Sequence, residues 1–383
     1  MSDNFSKQIS LGGEIMTKKF SVLFSILIIA SILLVSCTQA EPVEEAVVEE
    51  PVAEEPAAEE PAAEEAPVMT FCQVTDTGGI DDKSFNATAW LGMENAAADL
   101  GVEVKYLESQ QQSDYEVNLN AFVEEGCDLI LSIGFLLADA TAAAATANPD
   151  MNFAIVDNGS MDIANIRGNY ANIEEATFLA GYLAAGMTQT GKVATYVGIL
   201  FPSTQTFMDG YAMGVAYYNE VHGTAVEVLG WDMETQTGLE VGNFESLDDG
   251  RALGESLLDE GADIIMPVAG PVGLGTLAVM QERGSGLVIG VDNDWSIANP
   301  DQADFVLASA LKKIDVFVYD SIEKVVNGEF VGGEDYALTL ENNGVGLAYG
   351  TAWEDQIPAD LKAEIEALIP QIIAGEIAVL PTR

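Results

Sequence analysis

Residues 68–86 read VMTFCQVTDTGGIDDKSFN, and the fold of the chain can be predicted outward from this stretch. The apolar run at 68–75 is typical of a buried strand, and the polar, glycine-rich residues 76–79 are typical of a loop. A helical pattern follows from Asn86 to Leu100. A buried strand, a loop and a crossover helix together form the repeating unit of a parallel α/β sheet.

The same unit recurs along the chain. Five strands are predicted first, at 68–75, 102–107, 128–133, 152–156 and 167–170. A second series follows at 192–197, 225–231, 263–268 and 287–291. Helical patterns lie between the strands, among them 86–100, 115–125, 174–188, 206–221 and 250–260. Nine strands exceed one sheet, and the series breaks near 170–175, so the sequence predicts two doubly wound parallel-sheet lobes.

The loops after the predicted strands are unusually polar or glycine-rich. They include Asp76–Gly79, Gly134-Phe135, Asp157-Asn158, Gly198, Ala269–Pro271 and Asp292–Asp294. In doubly wound folds, ligands bind at the carboxyl ends of the strands. Two lobes that face each other across such loops predict a ligand cleft between them.

Composition excludes several classes of function. The 383 residues allow two domains, and 49% of them are hydrophobic, which is enough for a substantial core. The formal net charge of −48 excludes broad contact with nucleic acid, because phosphates require a surface of lysine and arginine. It says little about the ligand, since a cleft can differ in charge from the surface around it.

The histidine and cysteine content argues against an enzyme. A single histidine, His222, and three cysteines do not suffice for a His/Cys metal centre, and we expect neither a metal nor a cofactor. His222 follows a helical pattern, which favours a surface role.

Cys72 lies in the first predicted strand and Cys127 just before the third, and these two strands are neighbours in a doubly wound sheet. The sequence agrees with two alternatives for these cysteines, a disulfide bond between them and two buried free thiols.

The N-terminal segment predicts export. Residues 16–37 read MTKKFSVLFSILIIASILLVSC, a short basic stretch followed by an apolar run, as in a secretory signal. Its end, Leu34–Cys37, resembles the bacterial lipobox, in which the cysteine becomes lipidated. We therefore expect a signal peptide at 1–37, starting at Met1 or Met16, and a lipid anchor on Cys37. The alternative is a simple transmembrane anchor.

Residues 38–67 predict a tether between that anchor and the globular body. From Glu41 to Pro67 the chain consists almost entirely of Glu, Pro, Ala and Val. Proline interrupts helices, like charges repel each other, and none of these residues can build a core, so we expect an extended disordered spacer. An acidic interaction tail is the rival interpretation. The expected location is the extracytoplasmic face of the cell membrane.

Residues 75–86, TDTGGIDDKSFN, strongly resemble the opening of the basic membrane protein family, the purine-nucleoside-receptor-like substrate-binding proteins of ABC transporters. Further matches are FLAGYLAA, GADII, IGVDND and SALK, at 178–185, 261–265, 289–294 and 309–312. They occur in the expected order over roughly residues 68–350.

The resemblance implies a type I periplasmic-binding fold with a hinge of several crossovers. We expect an N-terminal lobe of residues 68–172 and 307–330 and a C-terminal lobe of residues 173–306 and 331–383. The implied partners are a small-molecule ligand and an ABC permease in the membrane, and we expect a monomer.

The resemblance also implies a binding site. Purine-nucleoside members of the family hold the base between two phenylalanines and the ribose with acidic, amide and lysine side chains. By motif, the corresponding residues here are Asp76, Phe85, Asn86, Asp157, Phe244, Gly270, Asp292 and Lys312. Phe244 is the match for the second stacking ring, although the loop around it is longer than usual.

Several of these residues have a structural alternative. Phe85 could be a core residue at a helix start, and Phe244 could pack one lobe. Asp76 and Asp82 could cap the helix that begins near Ser84, and for Asp82 we favour that interpretation. Lys312 could pair with Asp315.

The chemistry of the candidate residues favours a neutral ligand that is rich in hydrogen-bond donors. Two aromatic faces about 7 Å apart can hold a flat heterocycle, and carboxylates accept from ring N–H and sugar hydroxyl groups. Alternatives are a sugar or another metabolite as ligand, a sensor that docks on a membrane receptor, and an extracytoplasmic nucleoside hydrolase.

Overall fold

A computed structural model describes residues 67–382 of the chain, in which two six-stranded sheets form two lobes. The predicted signal peptide, the lipidation site Cys37 and all but the last residue of the predicted tether lie outside the described residues. None of the helices within residues 67–382 has the length and apolar character needed to cross a bilayer.

The first part of the chain alternates strands and helices in the predicted order. Its elements are β1 (Thr70–Val74), α1 (Phe85–Leu100), β2 (Glu103–Leu107), α2 (Ser113–Glu125), β3 (Leu129–Ile133), α3 (Ala138–Ala147), β4 (Asn152–Val156) and β5 (Ile166–Ala171).

The second part repeats this alternation and adds a short hairpin. Its elements are α4 (Ile173–Met187), β6 (Lys192–Val197), α5 (Pro202–His222), β7 (Glu227–Leu229), β8 (Trp231–Asp232), β9 (Thr237–Gly238), α6 (Leu247–Asp259), β10 (Ile264–Val268), α7 (Gly273–Arg283), β11 (Leu287–Asp292), α8 (Trp295–Ala298) and β12 (Val306–Lys312). The chain ends with α9 (Ile314–Val326), β13 (Asp335–Leu338), β14 (Val345–Tyr349) and α10 (Ala359–Ile373).

Each lobe is built on one sheet, as predicted. The first sheet has the strand order β13-β5-β4-β3-β1-β2, and all its pairs are parallel. The second has the order β14-β12-β11-β10-β6-β7, in which β14 alone runs antiparallel to its neighbour. The five strands predicted before residue 170 fall in the first sheet, and the predicted two-lobe α/β fold is confirmed.

The first sheet is covered on both faces, which explains why its central strands β3 and β4 are mainly apolar. Leu129 and Leu131 of β3 pack with α1 and α9 on one face. Ile130, between them in the chain, packs with residues of α2 and α3 on the other. Since successive side chains of a strand point to opposite faces, both faces of β3 must be apolar to be buried.

Helix α1 begins where Asp82 supplies acceptors for its free N–H groups. The carboxylate of Asp82 accepts from the backbone N–H groups of Ser84, Asn86 and Ala87 at 2.9, 2.8 and 3.0 Å. The helix ends at Gly101, whose left-handed conformation (φ 69°) terminates it. The capping interpretation of Asp82 agrees with these contacts.

The chain passes between the lobes three times, and the crossing segments are hydrogen-bonded to one another. The N–H of Asn172, after β5, donates to the carbonyl of Leu338 at 2.9 Å. The N–H of Lys313, after β12, donates to the carbonyl of Gly344 at 2.8 Å. These three hydrogen-bonded segments connect the two lobes.

The lobe boundaries differ from the prediction at two strands. The prediction places residues 307–312 in the first lobe, but β12 lies inside the second sheet, between β11 and β14. It places residues 331–338 in the second lobe, but β13 is an edge strand of the first sheet. The physical reason is that the chain returns to the first lobe with α9, which packs on α1, and leaves it again after β13.

The two alternatives for Cys72 and Cys127 are resolved by a disulfide bond between them, with Cα atoms 6.1 Å apart. Cys72 lies in β1 and Cys127 precedes β3, the strand that pairs with β1. The bond links the first and third strands of the chain inside the first lobe.

His222 is the last residue of α5 and lies outside the cleft. Its ring stacks on that of Tyr218 with a centroid distance of 4.2 Å. Its Nε2 lies 3.0 Å from Glu364 Oε2 and 3.1 Å from Tyr182 Oη. The residue therefore joins α5 to α10 at the partly exposed side of the second lobe.

Candidate functional site

The carboxyl ends of strands from both sheets meet at a pocket with about 540 Å³ of space, including the part that is open to solvent. Seven of the eight predicted ligand-binding residues line the pocket, namely Asp76, Phe85, Asp157, Phe244, Gly270, Asp292 and Lys312.

Phe85 is the first residue of α1 and forms part of the wall on the first lobe. Gly134, which follows β3, lies directly against it. A Cβ atom at Gly134 would come within 3.3 Å of both Phe85 Cε1 and Asp76 Oδ2, and the backbone there has φ 114°. Glycine at this position therefore lets the ring and the carboxylate lie side by side.

Asp76 follows β1 and is 8% exposed. Its carboxylate accepts from the N–H of Gly78 at 3.0 Å and from Asn86 Nδ2 at 2.7 Å. Burial raises the pKa of Asp76 to about 6, and these two hydrogen bonds oppose the rise. Asp76 does not accept from the α1 backbone, so it is free to present its other oxygen to the pocket.

Asn86 lies behind Asp76 and not in the pocket wall, unlike the seven other residues predicted as ligand contacts. It is 1% exposed, and its Nδ2 donates to Asp76 Oδ1 at 2.7 Å and to Asp82 Oδ2 at 3.1 Å. One helical residue corresponds to about 100° of rotation, so Asn86 faces the lobe interior when Phe85 faces the cleft. Asn86 therefore holds the carboxylate of Asp76 in place.

Asp157 and Lys312 form an ion pair across the cleft. Asp157 follows β4 of the first sheet, and Lys312 ends β12 of the second. The side chains are 11% and 2% exposed. The ammonium group also lies over the rings of Phe85 and Phe207, 5.1 and 5.6 Å from their centroids. The alternative pairing of Lys312 with Asp315 is not the one observed.

Asp292 ends β11 and is held by the opposite lobe. Ser84 Oγ, at the start of α1, donates to Asp292 Oδ2 at 2.7 Å. Burial raises the pKa of Asp292, while the ammonium group of Lys312 and the hydrogen bond from Ser84 oppose the rise. Asp157 and Asp292 both have positive φ, 64° and 70°, a conformation that is uncommon outside glycine and frequent at functional sites.

Phe244 lies on the second lobe, against Gly198 at the end of β6. A Cβ atom at Gly198 would be 2.5 Å from Phe244 Cε1, so only glycine leaves room for the ring. Phe244 contacts Phe201 with a centroid distance of 6.3 Å, and Phe201 contacts Phe135 of the first lobe at 5.1 Å. The rings thus form a row that spans the cleft.

Sequence reasoning missed four pocket residues near the start of α5, namely Phe201, Ser203, Thr204 and Phe207. The predicted helix began at residue 206, whereas α5 begins at Pro202. The missed signal was this proline, which is common at the first position of a helix. A helix start directly after β6 would have placed these side chains at the cleft.

Gly270 lines the pocket from the loop after β10. Its φ of 52° favours glycine, and a Cβ atom there would have no atom within 4 Å. The backbone at this point is therefore open to the pocket, and a ligand can approach it closely.

The charges in the pocket suit an uncharged ligand. Among the described residues that line it, three are carboxylic acids, Asp76, Asp157 and Asp292, and a single cation, Lys312, opposes them. An anionic ligand would be repelled by this excess of carboxylates, whereas N–H and O–H donors would find acceptors. Nowhere in residues 67–382 do three or more His, Cys, Asp or Glu side chains form a cluster suited to a metal ion.

Residues 70–381 match the model of the family described as PnrA-like ABC transporter substrate-binding proteins. The chain belongs to this family. The predicted resemblance is therefore confirmed, and the PnrA-like match reaches beyond residue 350 to include α10.

Named relatives agree with the PnrA-like assignment. The chain is 30% identical over 323 residues to the ABC transporter nucleoside-binding protein BmpA of Lactococcus lactis subsp. cremoris, covering 80% of this chain and 87% of that protein. It is 32% identical over 310 residues to basic membrane protein A of Borreliella burgdorferi, covering 79% and 85%. An ABC transporter solute-binding protein from Aeropyrum pernix K1 has a similar structure, with TM-score 0.73, 28% identity and coverage of 82% and 94%.

Proposed function

We propose that this protein captures a purine nucleoside, or a similar small neutral metabolite, outside the cytoplasm and delivers it to the permease of an ABC importer. The observation that carries the proposal is the meeting of Phe85 and Phe244, from different lobes, with three buried carboxyl groups in one pocket. A relative that shares 30% of the sequence is named as a nucleoside-binding protein.

The aromatic rings would bind the base. A purine that enters the cleft presents two flat faces, and stacking of a base on an aromatic side chain contributes about 1–3 kcal/mol per base. Phe85 is fixed by its place at the start of α1, and Phe244 by its contact with Gly198. Both rings are therefore positioned before the ligand arrives, which reduces the entropy cost of binding.

The polar groups would bind ring N–H and ribose hydroxyl groups. Asp76, Asp157 and Asp292 supply acceptors at the ends of β1, β4 and β11. Lys312 offsets part of their charge and supplies donors. Because buried acceptors are left unpaired by a ligand that lacks matching donors, this arrangement would favour molecules rich in N–H and O–H groups.

The proposed anchor is a lipid on Cys37, followed by the acidic tether at 38–67, which would place the pocket at the outer face of the membrane near the permease. Mass spectrometry of the membrane-bound protein should show an acylated N-terminal cysteine. Replacement of Cys37 by serine should leave the protein without acyl chains. An unmodified Cys37 in the wild-type protein would remove the anchor from the proposal.

Calorimetry with the full chain in detergent tests the ligand. We expect one site for adenosine, guanosine or inosine with micromolar or tighter affinity. Absence of heat with all three would refute the nucleoside ligand. Mass spectrometry of small molecules released on denaturation would then identify a sugar or another metabolite as the ligand.

A further inference from the structure

Residues 230–244, which we call the arm, carry Phe244 from the edge of the second sheet to the cleft. The arm begins after β7 and folds back on itself as the hairpin β8–β9, in which Trp231 pairs with Gly238 and Asp232 with Thr237. The N–H of Leu239 then donates to the carbonyl of Gly230 at 2.9 Å, which closes the hairpin.

The second half of the arm pairs with the end of β6. The N–H of Val197 donates to the carbonyl of Leu239 at 3.0 Å, and the N–H of Val241 donates back to Val197 at 2.9 Å. The N–H of Gly242 donates to the carbonyl of Gly198 at 2.7 Å. This register places the ring of Phe244 over Gly198, and a slip by one residue would turn the extended side chains to the other face.

Asp209, near the middle of α5, holds the hairpin. It is 0% exposed, and its Oδ1 accepts from Trp231 Nε1 and from Gln236 Nε2, both at 2.9 Å. Trp231 lies in β8, and Gln236 is the last residue of the turn that follows it. Gln236 Nε2 also donates to the carbonyl of Met233 at 2.8 Å, a hydrogen bond within the turn.

A buried carboxylate is costly unless hydrogen bonds compensate it, and bonds to a charged acceptor are strong and directional. An apolar residue at position 209 could pack the hairpin but could not fix its turn. We propose that Asp209 is a positioning residue for ligand binding, which sets the register of the arm and so the place of Phe244. This inference rests on the proposed function, in which Phe244 stacks on the base.

A double-mutant cycle between Asp209→Ala and Phe244→Ala tests the inference, using calorimetry with inosine and the full chain in detergent. We expect each single variant to weaken binding about tenfold. Once Phe244 is absent, we expect Asp209→Ala to weaken binding less than about twofold further, because its effect acts through that ring.

The conservative variant Asp209→Asn should bind within about threefold of wild type, since its Oδ1 can still accept from both donors. Thr276→Val is the matched control. Thr276 is buried in the same lobe; its hydroxyl donates to the carbonyl of Gly250 at 2.8 Å and lies 2.9 Å from Tyr196 Oη, and neither residue belongs to the arm. This variant should lower the unfolding midpoint and leave the affinity for inosine unchanged.

Hydrogen exchange supplies a readout that needs no ligand. In Asp209→Ala, the amides of Val241 and Gly242 should exchange at least about tenfold faster than in wild type, whereas those of β10 should not. Equal losses of affinity in both backgrounds, or no loss in either, would overturn the inference. If wild type binds no nucleoside, the proposed function fails, and unchanged exchange at Val241 and Gly242 would separately overturn the role of Asp209.

Discussion

The ammonium group of Lys312, which ends a strand of the second sheet, lies against the carboxylate of Asp157, which follows a strand of the first. Both side chains are almost fully buried. Loss of one partner leaves a buried charge without compensation, which is far more costly than loss of the whole pair. The pair therefore does two things: it offsets one carboxylate charge in the pocket, and it holds the two lobes in contact.

We expect Lys312→Met to lower the unfolding free energy by about 3 kcal/mol, because Asp157 would keep a buried charge without its partner. The double variant Asp157→Asn/Lys312→Met should regain part of this loss. Chemical denaturation measures both. As a control, Lys105→Met removes an exposed pair with Glu125 and should leave the denaturation midpoint unchanged. A double variant less stable than Lys312→Met would contradict this account.

We expect Phe85→Ala to weaken nucleoside binding at least about tenfold, because one of the two stacking surfaces is removed. Calorimetry with guanosine measures the change. Trp90→Ala is a suitable control, since Trp90 lies on the same helix but contacts Tyr106, with a ring centroid distance of 5.0 Å, outside the pocket. An equal loss of affinity in both variants would show that helix packing, not stacking, is responsible.

We expect Gly198→Ala to weaken binding about tenfold, since the new Cβ atom would lie 2.5 Å from Phe244 Cε1 and displace the ring. Isothermal calorimetry compares it with Gly346→Ala, where a Cβ atom would have no atom within 4 Å. The control should bind as wild type. Unaltered affinity of Gly198→Ala would argue that Phe244 does not contact the ligand.

We expect nucleoside affinity to fall as the pH drops below about 6. Burial raises the pKa of Asp76 to about 6, so the carboxylate that accepts from the ligand becomes protonated in this range. The dissociation constant should then rise by up to about tenfold for each pH unit. Titrations between pH 4.5 and pH 8 should show this slope in wild type and a flatter one in Asp76→Asn. Equal slopes would exclude Asp76 as the titrating group.

The stability of the ligand-free protein should change with pH in the opposite sense. Burial raises the pKa of Asp76 to about 6 and of Asp82 and Glu174 to about 7, so the folded state binds more protons than the unfolded state between about pH 4 and pH 7. The unfolding free energy must therefore fall as pH rises through this range, by about 3 kcal/mol for Asp76 alone.

Thermal denaturation without ligand measures this effect. The midpoint should be higher at pH 5 than at pH 8, and the difference should be smaller in Asp76→Asn. Mutual repulsion in a chain of net charge −48 acts in the same direction. A midpoint that rises from pH 5 to pH 8 would show that these carboxyl groups are not buried as described.

Much of the fold could be predicted because β1, β3, β4 and β10 are buried apolar runs that end in glycine or acidic residues. The sheet to which each C-terminal strand belongs could not be predicted. Strands β13 and β14 are short and half-buried, and no local feature of their sequences specifies the sheet that they join. That choice depends on where the three crossings bring the chain.

The part of the candidate site that lies at the ends of strands could be predicted from the sequence. Asp76, Asp157 and Asp292 follow or end apolar strands, and all three line the pocket. The different orientations of Phe85 and Asn86 depend on the phase of α1, which the hydrogen bonds from its first N–H groups to Asp82 determine. Residue type alone does not specify that phase.

Neither lobe consists of one continuous stretch of chain, because α9 and β13 complete the first sheet only after β12 has joined the second. During synthesis, the first sheet cannot acquire its edge strand β13 until residue 338 has been made, so the first lobe is completed only after most of the second lobe has been made. Strand β14 completes the second sheet later still, at Tyr349, so native strand pairing in both sheets is finished only in the last part of the chain.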